Sequence, residues 1–218
     1  MPDDSANGPA ARPTRIGDPA PDFIARRTAG PVRLSDYRGR WLLFFSHPGD
    51  FTPVCTSEFL AIARAADRFA ALDCVLLAHS VDSLFSHLAW IRALRDDLGV
   101  AIPFPIVEDP SLEIAHAFGM VDAQSFSAAT VRAAFFIDPD GVVRALTIYP
   151  LTVGRSVDEM LRTVAALQRT SDGSAMTPEG WQPGDDLLVP RVLAADGVLA
   201  ADNPTGWFYT LASDGRAR

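Results

Sequence analysis

The chain has 218 residues, of which 48 % are hydrophobic, and a formal net charge of −8 at pH 7. This composition supports a substantial core and excludes a chain that is disordered throughout. The acidic balance argues against a nucleic-acid or anionic-membrane surface, because phosphate groups are bound by clustered Lys and Arg. No apolar run approaches the roughly 18–20 residues that span a bilayer, so we expect neither a nucleic acid nor a membrane as partner.

The N-terminus and the cysteine content indicate where the protein works. Residues 1–15 begin M-P-D-D-S-A-N-G-P-A, which is polar and has no apolar signal-peptide core. We interpret them as a flexible arm. The two cysteines, Cys55 and Cys74, are too few for the disulfide framework of a secreted chain of this size. We therefore expect a reducing, cytoplasmic location.

The first half of the chain reads as alternating strands and helices. A short extended piece near 32–34 precedes W-L-L-F-F-S (41–46), a continuous apolar run typical of a strand buried on both faces. Pro53 suits the first turn of a helix. The apolar residues of that helix recur at helical spacing and are Phe59, Ile62, Ala63, Ala66 and Phe69. A second buried strand is predicted over 74–81, followed by an amphipathic helix that ends at Gly99.

The middle of the chain contains a β-hairpin. A Pro-bounded segment, F-P-I-V (104–107), leads to a short helix predicted over 111–118. Two strand patterns then follow, over 131–137 and 142–148, and they flank D-P-D-G (138–141), which has the Pro and Gly of a turn. Alternating strands and helices with one late hairpin predict a mixed α/β sheet, of which the thioredoxin-like fold is one form.

The composition changes near the end of the chain. An amphipathic helix is predicted over 157–167, after which the sequence becomes rich in turn residues. Two short strand candidates follow, L-L-V (187–189) and W-F-Y-T-L (207–211). We therefore predict one domain over 16–169 and a small C-terminal appendage over 170–218.

Cys55 lies where a cysteine can be reactive. Thiol chemistry is carried out by the thiolate. With Pro53 in the first turn, the sulfur of Cys55 lies near the free N–H groups at the positive end of the helix, and Thr52 can donate a hydrogen bond. The alternative is that Cys55 is a small buried hydrophobe, as free cysteines often are, and Cys74 inside an apolar strand fits that reading better. A C-x-x-C dithiol motif is absent.

Several segments resemble a known family. P-G-D-F-T-P-V-C (48–55) is similar to the P-x-x-x-T/S-x-x-C signature of the peroxiredoxins. Further segments resemble that family in the same order, and they are G-D-P-A-P-D-F (17–23), T-V-R-A-A-F-F-I-D-P-D-G (130–141), L-T-I-Y-P-L-T-V-G-R-S-V-D-E-M-L-R (146–162) and the W-x-x-G-D motif (181–185). The last two point to the one-cysteine subgroup that resembles peroxiredoxin six. The resemblance implies a thioredoxin-like fold, with a mixed central sheet flanked by helices, over nearly the whole chain.

The resemblance also implies a set of site residues. Cys55 matches the peroxidatic cysteine, and Thr52 matches the residue that hydrogen-bonds the peroxide and the thiolate. Pro48 matches the proline that shields the pocket from water. Arg132 matches the arginine that holds the thiolate and the peroxide oxygens.

Three more residues match supporting positions of the family. Glu58 and Arg155 would orient the charge network, and His47 matches the histidine before the signature proline. Each also has an ordinary structural reading, as a first-turn acid, a solvated helix residue and a core histidine. The other histidines have no metal-ligand spacing and are read as structural; they are His79, His87 and His116. We expect no metal and no organic cofactor.

Two departures from the family limit the function. Some relatives carry a further cysteine near the C-terminus that resolves the oxidised thiol, but the matching stretch here, 203–210, has none. An external thiol or another reductant must then complete the cycle. Some animal members carry a G-x-S-x-G-like lipase motif, whereas this chain reads G-R-W-L-L-F (39–44) with Arg40 at the serine position. We therefore predict no phospholipase activity by that route.

The implied function is a thiol-dependent peroxidase for hydrogen peroxide and small organic hydroperoxides. One alternative is a thiol oxidoreductase with little peroxide specificity, which the missing C-x-x-C disfavours. Another is a redox-sensing or holdase-type protein with little turnover. So small an appendage cannot easily bury W-F-Y-T-L (207–211), so we expect it to pack across a partner subunit in a homodimer or a ring of dimers, as the family resemblance also implies.

Overall fold

The computed structural model describes residues 12–121, 127–190, 195 and 205–215. They form two compact units, and the boundary between the units lies between Val157 and Asp158 in the chain. Most of the expected N-terminal arm, residues 1–11, lies outside the described residues. Within the described ranges, every helix is too short or too polar to cross a membrane.

Strands and helices alternate along the chain, as the sequence predicts. The strands are β1 (Ile24–Arg27), β2 (Gly30–Arg33), β3 (Trp41–Ser46), β4 (Cys74–Ser80), β5 (Ile106–Glu108), β6 (Arg132–Ile137), β7 (Val143–Tyr149), β8 (Leu187–Leu188) and β9 (Leu211–Ala212). The helices are α1 (Pro53–Arg64), α2 (Ala66–Ala71), α3 (Leu84–Leu98), α4 (Glu113–Phe118) and α5 (Val157–Thr170), and a 3₁₀ turn covers Leu34–Tyr37.

The first unit is built on one mixed sheet, which confirms the predicted fold class. Its seven strands run in the order β2-β1-β5-β4-β3-β6-β7. Strands β3, β4 and β5 are parallel, and β6 and β7 are antiparallel to their neighbours. The parallel strands β3 and β4 end side by side, with Ser46 opposite His79. Because β6 runs antiparallel to β3, its first residue, Arg132, lies at that same edge of the sheet.

Both faces of the central strands are buried, which explains the continuous apolar run in β3. Adjacent residues of a strand point to opposite faces. Phe44 packs with Phe118 of α4, with ring centroids 4.9 Å apart. On the other face Phe45 contacts Phe59 of α1, at 6.0 Å between centroids. Each fully buried phenylalanine contributes roughly 1.5–3 kcal/mol, so these rings hold α1 and α4 against the sheet.

The predicted hairpin is present, and its turn is made by Asp138. The Oδ1 atom of Asp138 accepts hydrogen bonds from the backbone N–H groups of Asp140 and Val142, at 3.0 and 2.9 Å. Gly141 takes a positive φ of 79°, a conformation that glycine adopts without steric cost. The turn and a register shift between Phe136 and Ile137 together set the pairing of β6 with β7, in which Arg132 lies opposite Tyr149.

Three elements differ from the sequence predictions. The single helix expected from Pro53 to Phe69 is broken at Ala65, where φ and ψ are −97° and 2°. Strand β1 was not predicted, because I-A-R-R has no apolar alternation to mark it. The strand predicted over 207–211 is largely wrong: residues 205–208 form a turn in which Thr205 O accepts two backbone N–H groups, and only Leu211 joins β9.

Within the second unit, β8 pairs antiparallel with β9. The Trp181 indole N–H donates to the carbonyl of Asp185, at 3.2 Å, so the W-x-x-G-D segment closes on itself as a turn. Arg169 at the end of α5 pairs with Asp214, at 3.1 Å, and ties the helix to the segment after β9.

Candidate active site

Cys55 lies in the first turn of α1, just beyond the carboxyl end of β3. Thr52 is the N-cap residue, with the extended φ and ψ of −96° and 149°, and Pro53 opens the helix. The side chain of Cys55 is fully buried. Strand β3 ends in a loop, and Pro53 then starts α1. This arrangement places the sulfur of Cys55 at the edge of the sheet where β6 begins with Arg132.

Arg132 hydrogen-bonds the cysteine sulfur. Its Nη1 lies 3.3 Å from Cys55 Sγ and 2.9 Å from Glu58 Oε2. Its Nε and Nη2 both donate to the carbonyl oxygen of Leu151, at 2.9 and 2.7 Å. The guanidinium plane is therefore held on two sides, which fixes the N–H groups that face the sulfur.

Glu58 joins Arg132 to a second buried arginine. Its Oε1 accepts from the backbone N–H and Nε of Arg155, at 2.7 and 2.9 Å, and its Oε2 accepts from Arg155 Nη2 at 2.9 Å. Burial alone would raise the pKa of Glu58, but the hydrogen bonds and charge of Arg155, aided by Arg132, hold it below its ordinary value. Glu58 is therefore ionised.

The buried charges beside Cys55 do not balance among themselves. Two guanidinium groups, of Arg132 and Arg155, face one carboxylate, that of Glu58. An unbalanced buried charge is costly, so this cluster, with one net positive charge, is suited to an anion at or beside the sulfur.

The loop between β3 and α1 carries the other residues predicted for the site. The Thr52 hydroxyl donates to the carbonyl of Gly49, at 2.8 Å, so its oxygen lone pairs are available to accept a hydrogen bond. Pro48 is half-buried in the same loop. His47 is fully buried, and its carbonyl accepts the Thr130 hydroxyl at 3.1 Å. The predicted site residues therefore share one edge of the sheet.

Two further residues, Asp50 and His87, join His47. Asp50 Oδ1 lies 2.9 Å from His47 Nε2, and its Oδ2 lies 2.8 Å from His87 Nδ1. We predicted a structural role for His87, which has no metal-ligand spacing to an acid or a cysteine in the sequence. Thirty-seven residues separate it from Asp50, and only the parallel pairing of β3 with β4 brings them together.

Comparisons with known proteins agree with this geometry. A profile described as the AhpC/TSA family matches residues 16–146. A peroxiredoxin of Thermoplasma volcanium is 44% identical over 194 residues, which cover 89% of this chain and 95% of the relative. One of Aquifex aeolicus is 45% identical over 170 residues, covering 78% of this chain and 77% of the relative.

The chain is a peroxiredoxin of the AhpC/TSA family. It is therefore a thiol-dependent peroxidase. Among solved structures, a yeast mitochondrial one-cysteine peroxiredoxin superposes with a TM-score of 0.81 at 35% identity, covering 92% of this chain and 99% of that one. A cysteine-to-serine mutant of peroxiredoxin 6 of Arenicola marina gives a TM-score of 0.77 at 35% identity, covering 84% of this chain and 86% of that one.

The second cysteine of this peroxiredoxin lies at the other end of the sheet. Cys74 is the first residue of β4, opposite Trp41, whereas Cys55 lies beyond the last residue of β3. The seven residues of β4 span about 20 Å at roughly 3.3 Å per residue, well beyond the reach of a disulfide. Burial raises the pKa of Cys74 to about 12, so Cys74 is a poor nucleophile.

Proposed function

We propose that Cys55 is the peroxidatic cysteine of this peroxidase and that Arg132 and Thr52 bind the peroxide beside it. The observation that carries the proposal is the 3.3 Å contact between Arg132 Nη1 and Cys55 Sγ inside a buried network of two arginines and one carboxylate. Such preorganised donors stabilise the charge that develops in a transition state.

The hydrogen-bonding capacity of the site matches a hydroperoxide. A guanidinium has five N–H donors, and the contacts to Leu151, Cys55 and Glu58 occupy four of those of Arg132. The remaining N–H, on Nη2, is suited to a peroxide oxygen. Thr52, whose proton is committed to Gly49, accepts the hydrogen bond of the peroxide O–H. These two contacts orient the O–O bond towards the sulfur.

The reaction then follows from these positions. The Cys55 thiolate attacks one peroxide oxygen, a sulfur–oxygen bond forms and the O–O bond breaks. The leaving oxygen, stabilised by Arg132, takes a proton and departs as water from hydrogen peroxide or as an alcohol from an organic hydroperoxide. The cysteine is left as the sulfenic acid.

An external thiol completes the cycle. One thiol attacks the sulfenic sulfur to give a mixed disulfide and water, and a second thiol releases Cys55 and leaves as a disulfide. Because Cys74 lies at the opposite end of β4, we assign it no part in resolution. High peroxide concentrations oxidise the sulfenic acid further, to the sulfinic acid.

A homodimer, or a ring of dimers, is the assembly that the exposed apolar side chains favour. Strand β7 is an edge of the seven-stranded sheet, and Gly17 and Asp18 pair with its first residue, Val143. The rest of such an edge is a site for pairing with another chain. Exposed apolar residues on and after it include Ile148, Leu151 and Val153. In the C-terminal segment, Phe208 and Tyr209 are also exposed. Sedimentation as a monomer at all concentrations would contradict this assembly.

We also retain the predicted division of roles along the chain. Residues 16–169 would carry the peroxidase, residues 170–218 would contribute to the dimer, and residues 1–15 would be dispensable for peroxide reduction. A truncation that begins at residue 16 tests the last point by its peroxidase rate. Cell fractionation tests the expected cytoplasmic location.

The conservative substitution Arg132→Lys tests the proposed site. Lysine cannot contact both Cys55 and the carbonyl of Leu151 in the forked geometry of a guanidinium. We expect the second-order rate of Cys55 oxidation, measured by stopped-flow, to fall by about a hundredfold. Arg144→Lys, a change at a half-exposed arginine that pairs with Asp138, is the matched control and should stay within about twofold. A wild-type rate for Arg132→Lys would overturn the assignment.

A further inference from the structure

The hydroxyl of Ser46 joins the end of β3 to the start of β6. Ser46 is the last residue of β3, and it is fully buried. The last pair in the register of the two strands is Phe45 opposite Ala134. Beyond that pair, Ser46 Oγ donates to the carbonyl of Val131, at 2.6 Å, and accepts the backbone N–H of Ala133, at 3.1 Å. A side chain therefore continues the connection that the backbone makes further along the strands.

The two backbone groups bound by Ser46 lie on either side of Arg132. The carbonyl of Val131 belongs to the peptide group that precedes the Arg132 Cα, and the N–H of Ala133 belongs to the one that follows it. Because peptide groups are planar, their orientations set the φ and ψ of the residue between them. One hydroxyl that binds both peptide groups thus fixes the backbone of Arg132 and the direction in which its side chain leaves.

The backbone turns tightly at Arg132. The N–H of Ala133 also donates to the carbonyl of Val131, at 3.0 Å, which is the hydrogen bond of a γ-turn centred on Arg132. A γ-turn is closed by one hydrogen bond, and Ser46 adds a second connection between the same two groups. The hydroxyl therefore supports a turn that has little hydrogen bonding of its own.

The buried charge cluster holds the same stretch of backbone. Arg155 Nη1 donates to the carbonyl of Ala133, at 2.6 Å, while its Nε and Nη2 donate to Glu58. The backbone of β6 beside Arg132 is thus held by Arg155 on one side and by Ser46 of β3 on the other. Since the contacts of Ser46 are with the backbone, its influence on the chemistry passes through Arg132.

The contact between Arg132 and the sulfur requires precise placement. Arg132 Nη1 lies 3.3 Å from Cys55 Sγ, and catalytic groups must be held within about 0.5 Å and 10–20° of their productive geometry. The carbonyl of Leu151 and the carboxylate of Glu58 hold the guanidinium end of the side chain. Ser46 holds the backbone end, where a small rotation displaces the far end of a long side chain most.

We propose that Ser46 is a positioning residue for peroxide reduction, which fixes the backbone of Arg132 so that the guanidinium faces Cys55. This role rests on the proposed functions of Cys55 and Arg132. Without the hydroxyl, the two peptide groups beside Arg132 keep only the γ-turn hydrogen bond to each other and rotate more freely. The guanidinium then lies less often against the sulfur, and the leaving oxygen of the peroxide loses stabilisation.

The substitution Ser46→Ala tests the role of the hydroxyl. We expect the second-order rate of Cys55 oxidation by hydrogen peroxide, measured by stopped-flow, to fall by about tenfold, because a displaced catalytic group costs rate steeply. Ser46→Thr keeps the hydroxyl and should stay within about threefold of wild type. Ser46→Val has the shape of threonine without the hydroxyl, so it should be as slow as Ser46→Ala, and it replaces that variant if alanine does not fold. Equal rates for Ser46→Thr and Ser46→Val would refute the proposal.

Ser80→Ala is the matched control. Ser80 is the last residue of β4, is fully buried, and also donates one hydrogen bond and accepts one. Both of these bonds are to Asp82, at 2.9 and 3.1 Å, in the segment that follows β4. Its substitution removes a buried hydroxyl of the same kind, and the oxidation rate should stay within about twofold. If Ser80→Ala slows oxidation as much as Ser46→Ala, the effect is a general one and the positioning role is wrong.

A double-mutant cycle separates positioning from a merely structural effect. If Ser46 acts through Arg132, adding Ser46→Ala to Arg132→Lys should slow oxidation by less than about twofold, because interacting residues are not additive. A fall of about tenfold in both backgrounds would show independent effects and overturn the proposal. The same cycle distinguishes the two levels of the account. A wild-type rate for Arg132→Lys contradicts the proposed function, whereas a slow Arg132→Lys with an unchanged Ser46→Ala contradicts the role of Ser46 alone.

Discussion

Glu58→Gln removes the charge that joins the two buried arginines. The carboxylate accepts four hydrogen bonds, two at Oε1 from Arg155 and two at Oε2, one from each arginine. If the glutamine keeps its oxygen at the Oε1 position, its NH₂ group faces Arg132 Nη1 and Arg155 Nη2, and two guanidinium N–H groups lose their acceptor. Each hydrogen bond to a charged group contributes about 1.5–3 kcal/mol.

The expected loss of unfolding free energy is therefore about 3–5 kcal/mol, the range found when one partner of a buried ion pair is removed. Urea denaturation measures it, and the rate of peroxide oxidation should fall at least tenfold because Arg132 loses an orienting contact. Glu159→Gln is the control, since Glu159 pairs with Arg162 on the surface and such pairs contribute about 0–1 kcal/mol. Equal losses in the two variants would refute the argument from burial.

Three further predictions concern the pocket, the second cysteine and pH. Thr52→Val should slow oxidation by peroxide about tenfold or more while Thr52→Ser stays near wild type, because only the hydroxyl contacts the peroxide. Cys74→Ser should leave the oxidation rate within about twofold in stopped-flow measurements. Burial holds the pKa values of His47 and His79 below the ordinary value. On acidification these histidines are therefore protonated at a higher pH in the unfolded chain than in the folded protein. Urea titrations should show unfolding free energy lost as pH falls below about 6.5, by up to about 1.4 kcal/mol per pH unit for each histidine; a flat profile between pH 7 and 5 would contradict this.

The elements that position the site could be predicted from the sequence alone. Continuous apolar runs predicted β3 and β4, and D-P-D-G predicted the turn between β6 and β7. The position of Cys55 in the first turn of α1 followed from Pro53. These features are local, so a short stretch of sequence contains the physical cause of each.

The remaining features depend on contacts between distant segments. The roles of Glu58 and Arg155 came from the family resemblance alone, because 97 residues separate the two. The contact between Asp50 and His87 was not predicted, since it depends on which strands are neighbours in the sheet. Strand β9 was misplaced because aromatic residues occur both in strands and in exposed turns. The sequence alone does not show which residues they pack against.

The most direct test of the account is the mass of the oxidised protein. Fully reduced wild type, Cys55→Ser and Cys74→Ser are each mixed with one equivalent of hydrogen peroxide and dimedone, which traps sulfenic acid. We expect one dimedone adduct on Cys55 in wild type and Cys74→Ser, together with fast peroxide consumption, and neither in Cys55→Ser. An adduct on Cys74, or equal peroxide consumption by all three proteins, would contradict it.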